Sequence, residues 1–89
     1  MTELMTSSAA PANGIALVTF NGFEQGDVSQ AFDHLDDAVA AFIVCDPFKI
    51  PRVKRGSMTL LEFDPEEGQV LTWDAEAARV HRTLTGHAR

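Results

Sequence analysis

The sequence predicts a small α+β domain with the order β-α-β-β-α: a three-stranded sheet with two helices packed on one face. Three observations carry that expectation. A β-prone run, "GIALVTFNGF", precedes an apolar stripe at helical spacing. Two further β-prone runs, "SMTLLEF" and "QVLTW", flank the turn sequence "DPEEG". The final stretch, "AEAARVHRTLTG", returns to helical spacing.

Residues 1–13 are small, polar and rich in Pro, Ala and Ser, and are expected to form a flexible N-terminal tail. Residues 14–89 are then a single small domain. Its first strand holds Ile15, Leu17, Val18 and Phe20 and is closed by Asn21 and Gly22. In "DVSQAFDHLDDAVAAFIVCDP", Asp27 stands three residues before Gln30, a capping-box spacing that predicts a helix start. Phe32, Leu35, Val39, Phe42 and Ile43 continue as one helical stripe, and Pro47 ends it near Asp46. "KIPRVKR" reads as an extended connector.

In the hairpin, Pro65 suits the first turn position and Gly68 the left-handed one. Pairing Asp64 with Gln69 sets Phe63 against Val70 and Leu61 against Thr72. It also sends Leu60 to the other face with Trp73, Leu71 and Met58. Asp74 caps the last helix, whose Ala77, Val80 and Leu84 share a side and whose stop is Gly86. Two short helices cover one sheet face, which leaves the other open. Either Val18, Phe20, Leu61, Phe63 and Val70 or their alternates are expected on that open face, as an interface for a partner or a second copy.

The net charge of −6 conceals a segregation. Residues 1–48 hold seven acids and no base, and residues 56–78 hold six acids and no base. The cations fall in two groups: Lys49, Arg52, Lys54 and Arg55, then Arg79, Arg82 and Arg89. Cys45 is the single cysteine, which excludes an intrachain disulfide and points to a reducing compartment. No apolar run reaches the roughly 18 residues of a membrane span. The N-terminus also lacks a basic region before an apolar one, so a cytoplasmic location is expected.

Little in the sequence supports catalysis. His34 and Cys45 fall on nearly the same helical face, yet eleven residues of helix separate them by about 16 Å. A nucleophile and its base must meet within about 3 Å. No CxxC, HxxxH or EF-hand spacing is present, and no glycine-rich phosphate loop, so neither a metal nor a cofactor is expected. Glu24, Asp27, Asp33, Asp36 and Asp37 form a candidate acidic face for a basic partner surface.

The leading expectation is therefore a non-catalytic interaction protein. It would be a regulator or inhibitor that binds another protein through its acidic helix face or open sheet face, and a homodimer would use the same sheet. Small acidic blockers of nucleic-acid-handling complexes, phage-encoded anti-CRISPR proteins among them, share this profile of size and charge. The alternative is a nucleic-acid-binding regulator whose patch joins Lys49, Arg52, Lys54 and Arg55 to Arg79 and Arg82. That partner is the less favoured, since the overall charge repels phosphate at long range. No membrane partner is expected.

Overall fold

The computed structural model describes residues 14–86. The expected tail at 1–13 lies outside the described residues. The chain runs β1 (Ile15–Phe20), a one-turn helix α1 (Gly22–Gln25), β2 (Asp27–Phe32), α2 (Leu35–Val44), a 3-10 turn (Pro47–Lys49), β3 (Arg52–Arg55), β4 (Met58–Asp64), β5 (Gln69–Thr72) and α3 (Ala75–Gly86). The α+β class holds, but the sheet has five strands in the order β2-β1-β3-β4-β5, with every pair antiparallel. The two strands added to the expected three are β2, which the capping-box spacing assigned to a helix start, and β3, which was assigned to a connector.

β2 forms because β1 can turn back on itself. Gly22 and Gly26 adopt positive φ of 93° and 68°, values that side-chain-bearing residues rarely take. The turn is closed by Asn21 N–H donating to the Gly26 carbonyl (2.9 Å) and Gly26 N–H donating to the Gly22 carbonyl (2.7 Å). A regular six-pair ladder follows, from Ile15 opposite Phe32 to Phe20 opposite Asp27. Helix α2 therefore starts eight residues later than its apparent cap at Asp27, with His34 at the N-cap and no side-chain cap bond. It ends where Pro47 requires: Asp46 accepts from the Phe48 N–H (3.0 Å) and caps the 3-10 turn instead.

The hairpin forms in the expected register, with Asp64 opposite Gln69, Phe63 opposite Val70 and Leu61 opposite Thr72. Gly68 takes the left-handed conformation (φ 69°). Asp74 caps α3 by accepting from the Ala77 N–H (3.0 Å).

Helices α2 and α3 lie side by side on one face of the sheet. Their Leu35, Ala38, Val39, Phe42, Ala77 and Val80 pack on Ile15 and Leu17 of β1, Val53 of β3, and Leu60 and Leu61 of β4. Simple alternation would send Leu60 to the opposite face, yet both leucines are completely buried. The cause is a bulge. Val53 pairs with Leu61 and Lys54 with Thr59, so Leu60 is the extra residue and turns inward beside its neighbour. Its freed carbonyl accepts from the Trp73 N–H (2.9 Å), which draws the end of β5 against the bulge. Leu60→Ala should thus cost about 2–5 kcal/mol, as much as Leu61→Ala. Urea denaturation of the two variants checks this, and a cost for Leu60 near zero would place its side chain outside the core.

Candidate functional site

The register decides what the uncovered face carries, since directly paired residues share a face. Val18 and Phe20 of β1, Asp27, Ser29 and Ala31 of β2, Arg52 and Lys54 of β3, Glu62 of β4 and Leu71 of β5 all point away from the helices. Trp73, two residues past Leu71, extends the same row and is 63% exposed. Its indole Nε1–H donates to Glu62 Oε1 (3.0 Å). Phe23 of α1 is 99% exposed, with its ring edge-on to Phe20 at 5.5 Å. One ion pair crosses this face: Arg52 Nη2 lies 3.1 Å from Asp27 Oδ1. The Arg52 Nε is buried and has no partner among the described residues.

The three residue groups singled out from sequence do not assemble as expected. Of the five assigned to the open face, Val18 and Phe20 are there. Leu61, Phe63 and Val70 face the helices, with Leu61 in the core and the other two partly buried against it. β1 and the hairpin are joined through β3, and the pairing of Leu17 with Val53 and Val53 with Leu61 sets their relative phase. Leu71 and Trp73 take the places expected of Phe63 and Val70.

The acidic group is divided by β2. Glu24 and Asp27 stand at its start, whereas Asp33, Asp36 and Asp37 follow its end. Six residues of strand put about 20 Å between the two sets. Asp36 and Asp37 occupy the first turn of α2, where the helix dipole favours negative charge. With His34 and Glu76 they line a hollow of about 470 Å³ at the N-terminal ends of α2 and α3.

The basic group is divided by the sheet itself. Arg52 and Lys54 point to the open face, while Arg79 and Arg82 belong to α3 on the opposite side. Arg55 pairs with Ile15 and so points to the helix side, at the far end of β3. Arg79 approaches Glu76 of its own helix at 4.0 Å. Lys49 lies in the 3-10 turn, close enough to Cys45 to influence its thiol.

A second concave feature was not legible before the fold. Between the C-terminal end of α2, the 3-10 turn, the β4–β5 hairpin and α3 lies an apolar cleft of about 320 Å³. Phe42, Ile43, Pro47, Phe63 and Val70 line it together with Cys45, His81 and Thr85. His81 stands one turn after Ala77 and next to Val80, a spacing that marks it as bordering the buried stripe of α3. It meets Phe42 edge-on at 6.0 Å. Ile50, between the 3-10 turn and Pro51, has φ 49°, a left-handed conformation strained for a β-branched side chain.

Neither titratable group in the cleft is activated. Burial raises the Cys45 thiol, with smaller opposing contributions from Lys49 and Asp46, so the protonated and less nucleophilic form is favoured. Burial lowers His81 below its ordinary value of 6.5. His34 and Cys45 stand at opposite ends of α2. Among the described residues, no group of three or more His, Cys, Asp or Glu is placed to hold a metal ion. No helix among them is long and apolar enough to cross a membrane.

The His81 shift carries a pH dependence. The unfolded chain takes up this proton near pH 6.5 and the folded chain only at lower pH. The stability it protects is complete above that pH and is lost as pH falls toward the folded value. Replacing His81 with Gln should flatten the decline in Tm between about pH 7.5 and about pH 5. Parallel declines for the two proteins would mean that His81 titrates alike folded and unfolded. Compared with known proteins, the chain matches no family model, no curated protein and no solved structure.

Proposed function

We propose that the chain is a non-catalytic protein-binding module, a small acidic regulator or inhibitor that engages its target through the open face of the sheet. The observation that carries this reading is the one-sided cover of a five-stranded sheet. Its open face presents half-buried Val18, Phe20 and Leu71 and exposed Trp73, with exposed Phe23 beside them. Exposed aromatic side chains on a rigid sheet are the anchors that protein interfaces favour, because they bury a large area at little entropic cost. Two polar contacts on the face are already made within the chain, Arg52 to Asp27 and Trp73 to Glu62, and covering the face need not break them. The net charge of −6 suits a target whose own surface is basic, such as a nucleic-acid-handling complex.

A nucleic-acid partner would also use exposed aromatics beside cations. Here Asp27 and Glu62 share the face with Arg52 and Lys54, so a phosphate chain laid across it meets acids as often as bases.

The test is affinity capture from nuclease-treated host lysate with wild type and with two pairs of surface variants. Phe23→Asp and Trp73→Asp should abolish retention of a protein that wild type retains. Val44→Asp and Phe48→Asp, exposed residues of the α2 end and the 3-10 turn, should retain it. With that protein isolated, the single tryptophan gives a direct readout, a change in Trp73 emission on titration. Undiminished capture by the first pair, or nucleic acid as the sole species retained from a parallel lysate left without nuclease, would refute the proposal.

A further inference from the structure

The geometry points to the free edge of β2 as a docking site for an extended polypeptide segment that carries Lys or Arg at both ends and adds itself as a sixth strand. This inference concerns the edge and not the open face, so it stands or falls apart from the reading above.

Among the described residues β2 bonds to β1 on one side only, and the backbone N–H and C=O groups of its other side point out of the sheet. Residues 27–31 are exposed and Phe32 is half-buried. Natural sheets blunt such an edge with lysine, proline, a bulge or extreme shortness. β2 has none of these: residues 28–32, "VSQAF", are uncharged, and the ladder to β1 is regular over six pairs. The opposite edge, β5, has only four residues.

Charge selects the occupant. Glu24 and Asp27 stand at the start of the edge, Asp33 directly follows its end with Asp36 and Asp37 in the first turn of α2 just beyond, and the first 48 residues contain no Lys or Arg. Arg52 meets one Asp27 oxygen from the sheet side. A strand laid along β2 therefore ends beside carboxylates at both extremities, and cations at its own ends would meet them. A second copy is a poor fit by the same measure. Two-fold antiparallel pairing that sets Asp27 opposite Phe32 of the copy brings Asp27 next to its Asp33, like charge against like at both ends.

The probes are two synthetic peptides, Lys-Thr-Val-Thr-Val-Thr-Arg and the same sequence with Glu at both ends, titrated into the full 15N-labelled chain. The basic peptide should shift the amides of residues 28–32 and protect those that face outward. It should bind roughly tenfold or more tightly than the acidic one and weaken as salt is raised. Adjacent strand residues direct their N–H groups to opposite sides, so of Ser29→Pro and Gln30→Pro one breaks the β1 ladder and the other removes an outward donor. Whichever variant keeps the wild-type circular dichroism and Tm should lose the peptide. Ser29→Lys, a change at an exposed position, should lose it also. Equal binding of the two peptides, or undiminished binding by the folded proline variant or by Ser29→Lys, would overturn the proposal. So would outward-facing amides of residues 28–32 already protected in the free chain, or self-association through β2.

Discussion

The sheet depends on Val53. It is completely buried, and it is the one apolar side chain that β3 contributes to the core. On one side it pairs with Leu17 and on the other with Leu61, where the bulge adds Leu60. β3 thereby joins two hairpins, β1–β2 and β4–β5, each of which would be marginal alone. The neighbours of Val53 decide the rest of the architecture. Arg52 and Lys54 must point the other way, and a helix laid over them would bury two cations at several kcal/mol each unless they were fully paired. One face of the sheet is covered and the other bare because the central strand is alternately charged.

The same constraint arranges the acids. With both helices on one face, their N-terminal ends come together at one end of the sheet, where Asp36, Asp37 and Glu76 gather around a hollow. Helix dipoles make negative charge acceptable there, and no cation is needed to hold it. At the start of β2, Asp27 instead meets Arg52 across the open face. That contact ties the edge hairpin to the central strand and leaves β1, between them, with its small and apolar Ala16, Val18 and Phe20 on that face.

How much of this the sequence disclosed follows from which residues carry period. The stripe of Leu35, Val39 and Phe42 and the pairing of the β4–β5 hairpin were legible because burial on one side imposes a regular spacing. Asp74 was legible as a cap because its work is local. β2 was not, because an edge strand exposed on both faces has no apolar alternation to show. Phe32 happens to extend the helical stripe of α2 backward, and Asp27 and Gln30 imitate a cap. β3 was hidden by its own cations, which leave Val53 as the only apolar residue in four. The bulge at Leu60 left a trace that admits two readings: alternation in "MTLLEFD" changes phase between Leu60 and Leu61, which fits apolar residues on both faces as well as a bulge, and only the pairing decides. The cleft holding Cys45 and His81 needed the docking of α3 on α2, which sequence distance does not encode, although His81 beside Val80 hinted at it.

The cationic segment is the case in which strand geometry bears most directly on an argument about chemistry. Four cations in seven residues read as a phosphate grip only while the segment is a flexible connector, free to turn every side chain one way. A strand sends successive side chains to opposite faces. Arg52 and Lys54 are all that β3 can give the open face, and Arg52 is already engaged by Asp27. Arg79 and Arg82 lie beyond the sheet and cannot join them. Affinity for a nucleic-acid backbone grows with the number of phosphates neutralised, and specific binders commonly engage about six to ten. One or two cations beside Glu62, on a chain of charge −6, fall short of that. What they do on the open face is keep it hydrated, and in the proposed reading they would also orient it against its partner.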